Sequence, residues 1–363
     1  MISLKNSPLS MGNLKAKIPI IQGGMGIGIS LSGLASAVAN EGGIGVISAA
    51  GIGLFEKDSN SNYLEANIRA LKNEIRKARE LTKGILGVNI MVALSDFEEL
   101  VKTSIEEGID VIFSGAGLPL NLPKFLTKSS KTKLVPIVSS ARAAALITKK
   151  WMTKYDYAPD AIVVEGPLAG GHLGFKEEEI EDEKFKLEHI VKDVMEKIKS
   201  LEVSKVKNIP VIAAGGIFNG KDIKKFIDMG VDGVQMATRF VTTKECDASI
   251  DFKNSYINCD KEDIGIIKSP VGMPGRAIIN NYLKDVNNGI KKPYSCPYHC
   301  IVTCNYKDSA YCIALSLKNA KLGKLTHGFA FAGENTYKTD EIITVKELIN
   351  KLEVELNSEE PKE

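Results

Sequence analysis

The sequence predicts an α/β fold, a TIM-type closed (β/α)₈ barrel with a smaller cysteine-containing module near the C-terminus, on three observations. Eight short runs rich in Ile and Val recur at 18–22, 44–48, 85–91, 111–114, 134–139, 161–165, 209–214 and 233–236, with helix-like stretches between them. The runs are continuously apolar rather than alternating, as strands covered on both faces of a parallel sheet must be. Glycine-rich or polar turns follow their C-terminal ends, the face on which barrel enzymes carry their chemistry. An open, doubly wound sheet is the competing architecture; eight β/α units in this length favour closure, since such barrels span about 250 residues.

Taken in order, residues 1–17 carry lysines and polar residues without an apolar core or a small-residue cleavage site. No secretion signal is read there, and the cytoplasm is the expected compartment. From 18 to 55 the only charge is Glu41, but repeated glycines, Gln22 and Asn40 make a buried strand, turn, helix, strand unit a better account than a membrane span. Helices are expected over 31–40, 63–81, 96–107, 141–151, 189–201 and 221–229. The segment 176–186 is nearly all charged and reads as a solvated insertion or the edge of a lid. After Arg239 the rhythm is lost: 243–323 holds every cysteine and few clear strands, and should be helical or irregular. Helical pattern returns over 345–356, and the charged end, 357–363, is expected to be disordered. The division expected is therefore a barrel at 1–242, a cysteine-containing module at 243–323, and a segment at 324–363 that returns to the barrel.

Composition excludes several functions. Lys plus Arg number 47 against 45 Asp plus Glu, so neither nucleic acid nor an anionic membrane is favoured as a partner. At 44% hydrophobic content the chain can bury a large core. A homodimer is compatible with the sequence, which does not decide it.

The chemistry is concentrated after the sixth run. Asp160-Ala161-Ile162-Val163-Val164-Glu165 breaks into Gly166-Pro167-Leu168-Ala169-Gly170-Gly171-His172, a turn whose backbone can approach a flat ligand and which presents a group titrating near neutrality. A structural histidine in a tight loop is the plainer alternative. Ala213-Ala214-Gly215-Gly216-Ile217 and Gln235-Met236-Ala237-Thr238-Arg239-Phe240 follow the seventh and eighth runs, where barrels commonly bind phosphate through backbone amides. Gly24-Met25-Gly26-Ile27-Gly28 lacks the spacing of a dinucleotide fingerprint, so a nicotinamide would visit rather than reside. Phosphate at one edge, glycine walls and Asn89 suit FMN lying across the barrel mouth, although Asn89 could equally cap a turn.

With these blocks quoted, together with Pro19-Ile20-Ile21-Gln22-Gly23-Gly24-Met25 and Gly87-Val88-Asn89, the chain resembles the nitronate monooxygenases, and also the related flavin-dependent enoyl-acyl carrier protein reductases. The resemblance covers about residues 18–240. It implies FMN contacts at Gly23, Gly24, Met25, Asn89, Glu165, Gly170, Gly171, Gly215, Gly216, Gln235, Met236, Ala237 and Thr238, with His172 beside the substrate. It further implies oxidation of an alkyl nitronate by O₂ to a carbonyl compound and nitrite or, in the alternative, NAD(P)H-dependent reduction of an enoyl thioester. A non-catalytic flavin- or metal-binding protein is the third expectation. One departure bears on the choice: the monooxygenases usually carry Gln at the position of Glu165, where the reductases often have Glu.

Two features stay open. Cys296, Cys300 and Cys304 are four apart and would share one face of a helix, with His299 and Cys312 nearby; a soft metal or iron–sulfur centre could use them, but buried free cysteine is common and no metal is assigned. Ser269-Pro270-Val271-Gly272-Met273-Pro274-Gly275-Arg276-Ala277 reads either as a substrate-side loop, with Arg276 meeting an anion, or as a rigid connector.

Overall fold

A computed structural model describes residues 3–201 and 208–358. Eight parallel strands close into a barrel: β3 (Ile20–Gln22), β4 (Ile44–Ser48), β5 (Ile85–Met91), β6 (Val111–Gly115), β7 (Lys133–Val138), β8 (Ile162–Glu165), β10 (Val211–Ala214) and β11 (Gly233–Met236). Their order around the barrel follows the chain, with β11 pairing back onto β3 and so leaving no open edge. Six helices fall where the sequence placed them: α1 (Ser32–Asn40), α2 (Tyr63–Leu81), α3 (Phe97–Glu106), α4 (Ala141–Tyr155), α5 (Leu187–Lys199) and α6 (Gly220–Asp228).

The continuous apolar runs divide between two cores. Ile21, Val46, Phe113, Val135, Val163 and Ile212 fill the barrel interior, whose lower end is plugged by Leu9 and Met11 of the hairpin β1 (Leu9–Met11) and β2 (Leu14–Ala16). The other residues of each strand join the larger core beneath the helices, which includes the fully buried Trp151, its indole donating to Pro119 O at 2.9 Å. Between β3 and β4 the ladder is short, and buried Gln22 extends it, receiving Val46 N–H at 3.0 Å and donating to Val46 O at 3.2 Å.

The segment after Arg239 differs from expectation. It does contain helices, α7 (Thr238–Val241), α8 (Ile250–Ile257), α9 (Asn281–Asn287) and α10 (Ile313–Lys321), but also the antiparallel strands β12 (Ile264–Lys268) and β13 (Pro274–Ile278). β13 pairs on its other side with β9 (Gly171–His172), giving a three-stranded sheet over the barrel mouth. Gly265 in β12, and Pro274 and Gly275 in β13, hid them from a reading by periodicity. Residues 290–312 form neither helix nor strand, so the shared helical face expected of Cys296, Cys300 and Cys304 does not exist.

This segment also braces the barrel. The Asp247 carboxylate accepts Leu31 N–H at 2.8 Å and Leu34 N–H at 3.2 Å, supplying the cap that α1 lacks in its own sequence. The last helix, α11 (Val345–Asn357), begins with a Thr344/Glu347 capping box and packs on α6 and α1. The expected charged tail lies, for 359–363, outside the described residues. Among the described residues no helix is long and apolar enough to cross a membrane.

Candidate active site

A cavity of about 240 Å³ opens above the C-terminal ends of the barrel strands. Gly23, Gly24, Met25, Asn89, Glu165, Gly170, Gly171, His172, Gln235, Ala237 and Thr238 line it. A smaller space of about 60 Å³ continues from it past Gly215, Gly216 and Met236, sharing Glu165, Gly170, Gln235, Ala237, Thr238 and Gly333 with the first. Every candidate residue thus borders one continuous cleft, although they come from loops spread over two hundred positions.

Backbone closeness builds the walls. A Cβ at Gly24 would stand 2.4 Å from Asn89 Cβ, so only glycine lets the first loop lie against β5. That loop is closed on itself by Met25 N–H to Ser30 Oγ at 2.8 Å and Ser30 N–H to Met25 O at 3.0 Å. At the narrow end Gly216 has φ +88, a left-handed conformation, and Asn335 Nδ2 fixes its carbonyl at 2.7 Å. The amides of Gly216, Ala237 and Thr238 meet no protein acceptor among the described residues. Neither space is lined by a lysine or arginine. An anion placed here would be held by neutral donors.

The wide end holds an imidazole and shares a carboxyl with the narrow one. His172 lies on β9, opposite Gly275 of β13, with Nε2 2.7 Å from Ser269 Oγ and its ring edge-on to Phe331 at 5.0 Å. Burial pushes its imidazole down to about 4, so it is neutral at physiological pH. Ser269 Oγ already receives Val271 N–H at 3.2 Å, which leaves its own proton free for Nε2. Burial acts oppositely on Glu165 and raises its carboxyl to about 7.

Arg276 does not reach the cleft. Buried behind it, the guanidinium donates to Pro167 O and to Ala169 O at 3.2 Å and pairs with Glu334 at 2.9 Å. The expectation that it meets an anionic ligand is therefore corrected: its task is to fix the turn that leads to His172. Within residues 269–277, Val271 lines the cleft and Ser269 meets His172, while Arg276 ties the segment down behind it.

Sequence reasoning missed several wall residues. Phe331, Ala332 and Gly333 close the cleft from the C-terminal side, and Tyr63, Tyr256, Ile301 and Leu317 line its apolar flank. The alternation of large and small residues in Phe329-Ala330-Phe331-Ala332-Gly333 was the available signal, and nothing in the local pattern marked the others.

The family model described as nitronate monooxygenase matches residues 7–355. The chain belongs to the nitronate monooxygenase family. As a member of it the protein is an oxidoreductase, and its barrel is that of the family's solved relatives. A probable nitronate monooxygenase of Staphylococcus aureus is 29% identical over 310 residues, 76% of this chain and 79% of the relative. FabK from Thermotoga maritima is similar in structure, with TM-score 0.69 and 27% identity over 93% of this chain and 92% of its own. Nitroalkane oxidase from Streptomyces ansochromogenes superposes with TM-score 0.70 over 95% of this chain and 96% of its own; at 21% identity this speaks for the fold alone.

Proposed function

We propose that this family member binds FMN across the cleft and oxidises alkyl nitronates with O₂, releasing a carbonyl compound and nitrite. The observation that carries the proposal is the joining, in one cleft, of an unpaired amide cradle at Gly216, Ala237 and Thr238 with a neutral imidazole at the other end. The donor set fits the cofactor: free amides at a left-handed glycine suit a phosphate, and the close packing of Gly24 on Asn89 gives a wall without a side chain for a flat ring to lie against. FMN, when bound, supplies the electron-accepting chemistry.

The chain's own residues do the rest. Gly23, Gly24, Met25, Asn89, Gly170 and Gly171 form walls that orient a flat ligand, while Gly215, Gly216 and the turn from Gln235 to Thr238 hold its phosphate. His172, uncharged and steadied by Ser269, offers one ring nitrogen to the substrate. A group of such low basicity is suited to hydrogen-bonding an already ionised nitronate rather than to stripping a proton from a neutral nitroalkane. Phe331, Leu317 and Ile301 keep water from the reacting atoms. In this reading the barrel, 1–242, carries the cofactor, 243–323 covers the substrate, and 324–363 closes the cleft through Gly333 and Asn335.

Glu165 and the long apolar flank favour a second reading, reduction of an enoyl thioester at the expense of NAD(P)H. Anaerobic reduction of the yellow protein separates the two. Bleaching by a nitronate and not by NAD(P)H supports the first reading; rapid bleaching by NAD(P)H overturns it. His172→Ala is expected to keep its flavin and, losing one hydrogen bond to a charged substrate, to drop about 10- to 10²-fold in kcat/KM.

A further inference from the structure

The large cavity has a polar end at the barrel mouth and an apolar flank that so far serves only to exclude water. The flank is walled by Ile29 of the first loop, Phe252 and Tyr256 on α8, Ile301 from the irregular segment, and Ala314 and Leu317 on α10. Phe252 and Tyr256 are four apart, as are Ile313 and Leu317, so each helix turns one face to the space. The helices are tied together where Ser249 N–H, at the start of α8, reaches Lys321 O at the end of α10 at 3.0 Å. Phe331 joins this flank to the polar end: its ring meets His172 at 5.0 Å, and its carbonyl accepts the Tyr256 hydroxyl.

Each polar side chain of the flank is spent or hidden. The Tyr256 hydroxyl is engaged by Phe331 O, the Tyr63 hydroxyl is enclosed by protein atoms, and burial keeps the Cys300 thiol protonated. The first amides of α10, at Ala314 and Leu315, face the Cys312 sulfur. Lys321, one turn beyond Leu317, sets its ammonium over the Phe55 ring at 4.6 Å and does not line the space. The one acid of the lining, Glu165, ends β8 and so belongs to the barrel mouth. A methylene chain therefore gains on entering, because each carbon leaves water for an apolar wall. A carboxylate loses, since it would shed its hydration and find no cation in exchange.

We infer that the cleft selects nitronates whose substituent is an uncharged chain of several carbons, laid between α8 and α10, and turns away those that carry a second anionic group. The inference rests on the nitronate reading above and deepens it. The barrel mouth holds the reacting end, and residues 243–323 choose the substrate by its tail. Ala314 sets the depth of the space, being the small residue between Ile313 and Leu317 on the α10 face.

The test is oxygen uptake by the purified full chain with the nitronates of nitroethane, nitrobutane, nitrohexane and a nitrobutanoate. kcat/KM should rise about fourfold for each added methylene. The nitrobutanoate should fall about a hundredfold or more below nitrobutane. Ala314→Phe should flatten the rise with chain length, and Leu317→Lys should raise the nitrobutanoate about tenfold relative to nitrobutane, each in protein that keeps flavin and circular dichroism. Equal rates along the series, a nitrobutanoate as good as nitrobutane, or an unaltered rise in folded Ala314→Phe would overturn the inference. Oxidation of none of these nitronates would instead sink the function proposed above, and calorimetry then decides the flank by itself. Hexanol should bind about tenfold or more tighter than hydroxyhexanoate, and equal binding would overturn the tail selection whichever reaction the cleft performs.

Discussion

Replacing Glu165 by Gln tests the electrostatics of the cleft without disturbing its shape. Burial raises this carboxyl from 4.5 to about 7, so the folded protein holds the proton more tightly than the unfolded chain. Below pH 4.5 the group is protonated in both states and costs nothing. As pH rises to about 7 the unfolded chain gives up its proton first, and folding stability falls with it. At about 1.36 kcal/mol per tenfold change in proton affinity, that interval amounts to about 3 kcal/mol. Water at the cavity mouth reduces it, and about 1–3 kcal/mol is expected. Glutamine cannot ionise and escapes the loss. Urea denaturation of the flavin-free protein at pH 5 and pH 8 provides the comparison: the wild type should weaken by that amount relative to Glu165→Gln. Parallel profiles would refute the argument that Glu165 is desolvated without compensation.

Gly24→Ala should weaken FMN binding by about tenfold or more, because its methyl meets Asn89 Cβ at 2.4 Å and overpacking costs about 1–3 kcal/mol; unchanged quenching of flavin fluorescence would contradict this. Ser269→Ala removes the partner of His172 Nε2, and a loss of one hydrogen bond predicts about a tenfold drop in kcat/KM with flavin retained. A variant with wild-type kinetics would show that Ser269 does not position the ring. Trp151→Ala should cost about 3–5 kcal/mol, since the indole is fully buried and donates to Pro119 O, and the urea midpoint reports it.

The barrel was legible because each strand is dry on both faces and each helix on one, so the chemistry of burial writes itself into the order of residues. Ile44–Ser48, Ile85–Met91 and Gly233–Met236 match their apolar runs end to end. The cleft loops were legible for a related reason: backbone that must approach a ligand or another strand tolerates little but glycine, as Gly24 and Gly216 show. What lay beyond local pattern was contact between distant segments. Nothing near Arg276 announces that its partner is Glu334, and the spacing of Cys296, Cys300 and Cys304 suggested a helix because periodicity cannot tell a helix from a loop that carries thiols. His172 was found from its turn, but its strand pairing with Gly275 depends on a hairpin too short and too rich in glycine and proline to be read.

That pairing makes the imidazole's position a late event in the life of the chain. In chain order all eight barrel strands precede residues 274–278, so the strand that holds His172 in place is made after the barrel it covers. The same separation permits evolutionary retailoring: a lineage can exchange the hairpin, and with it the setting of the ring, while inheriting the scaffold unaltered.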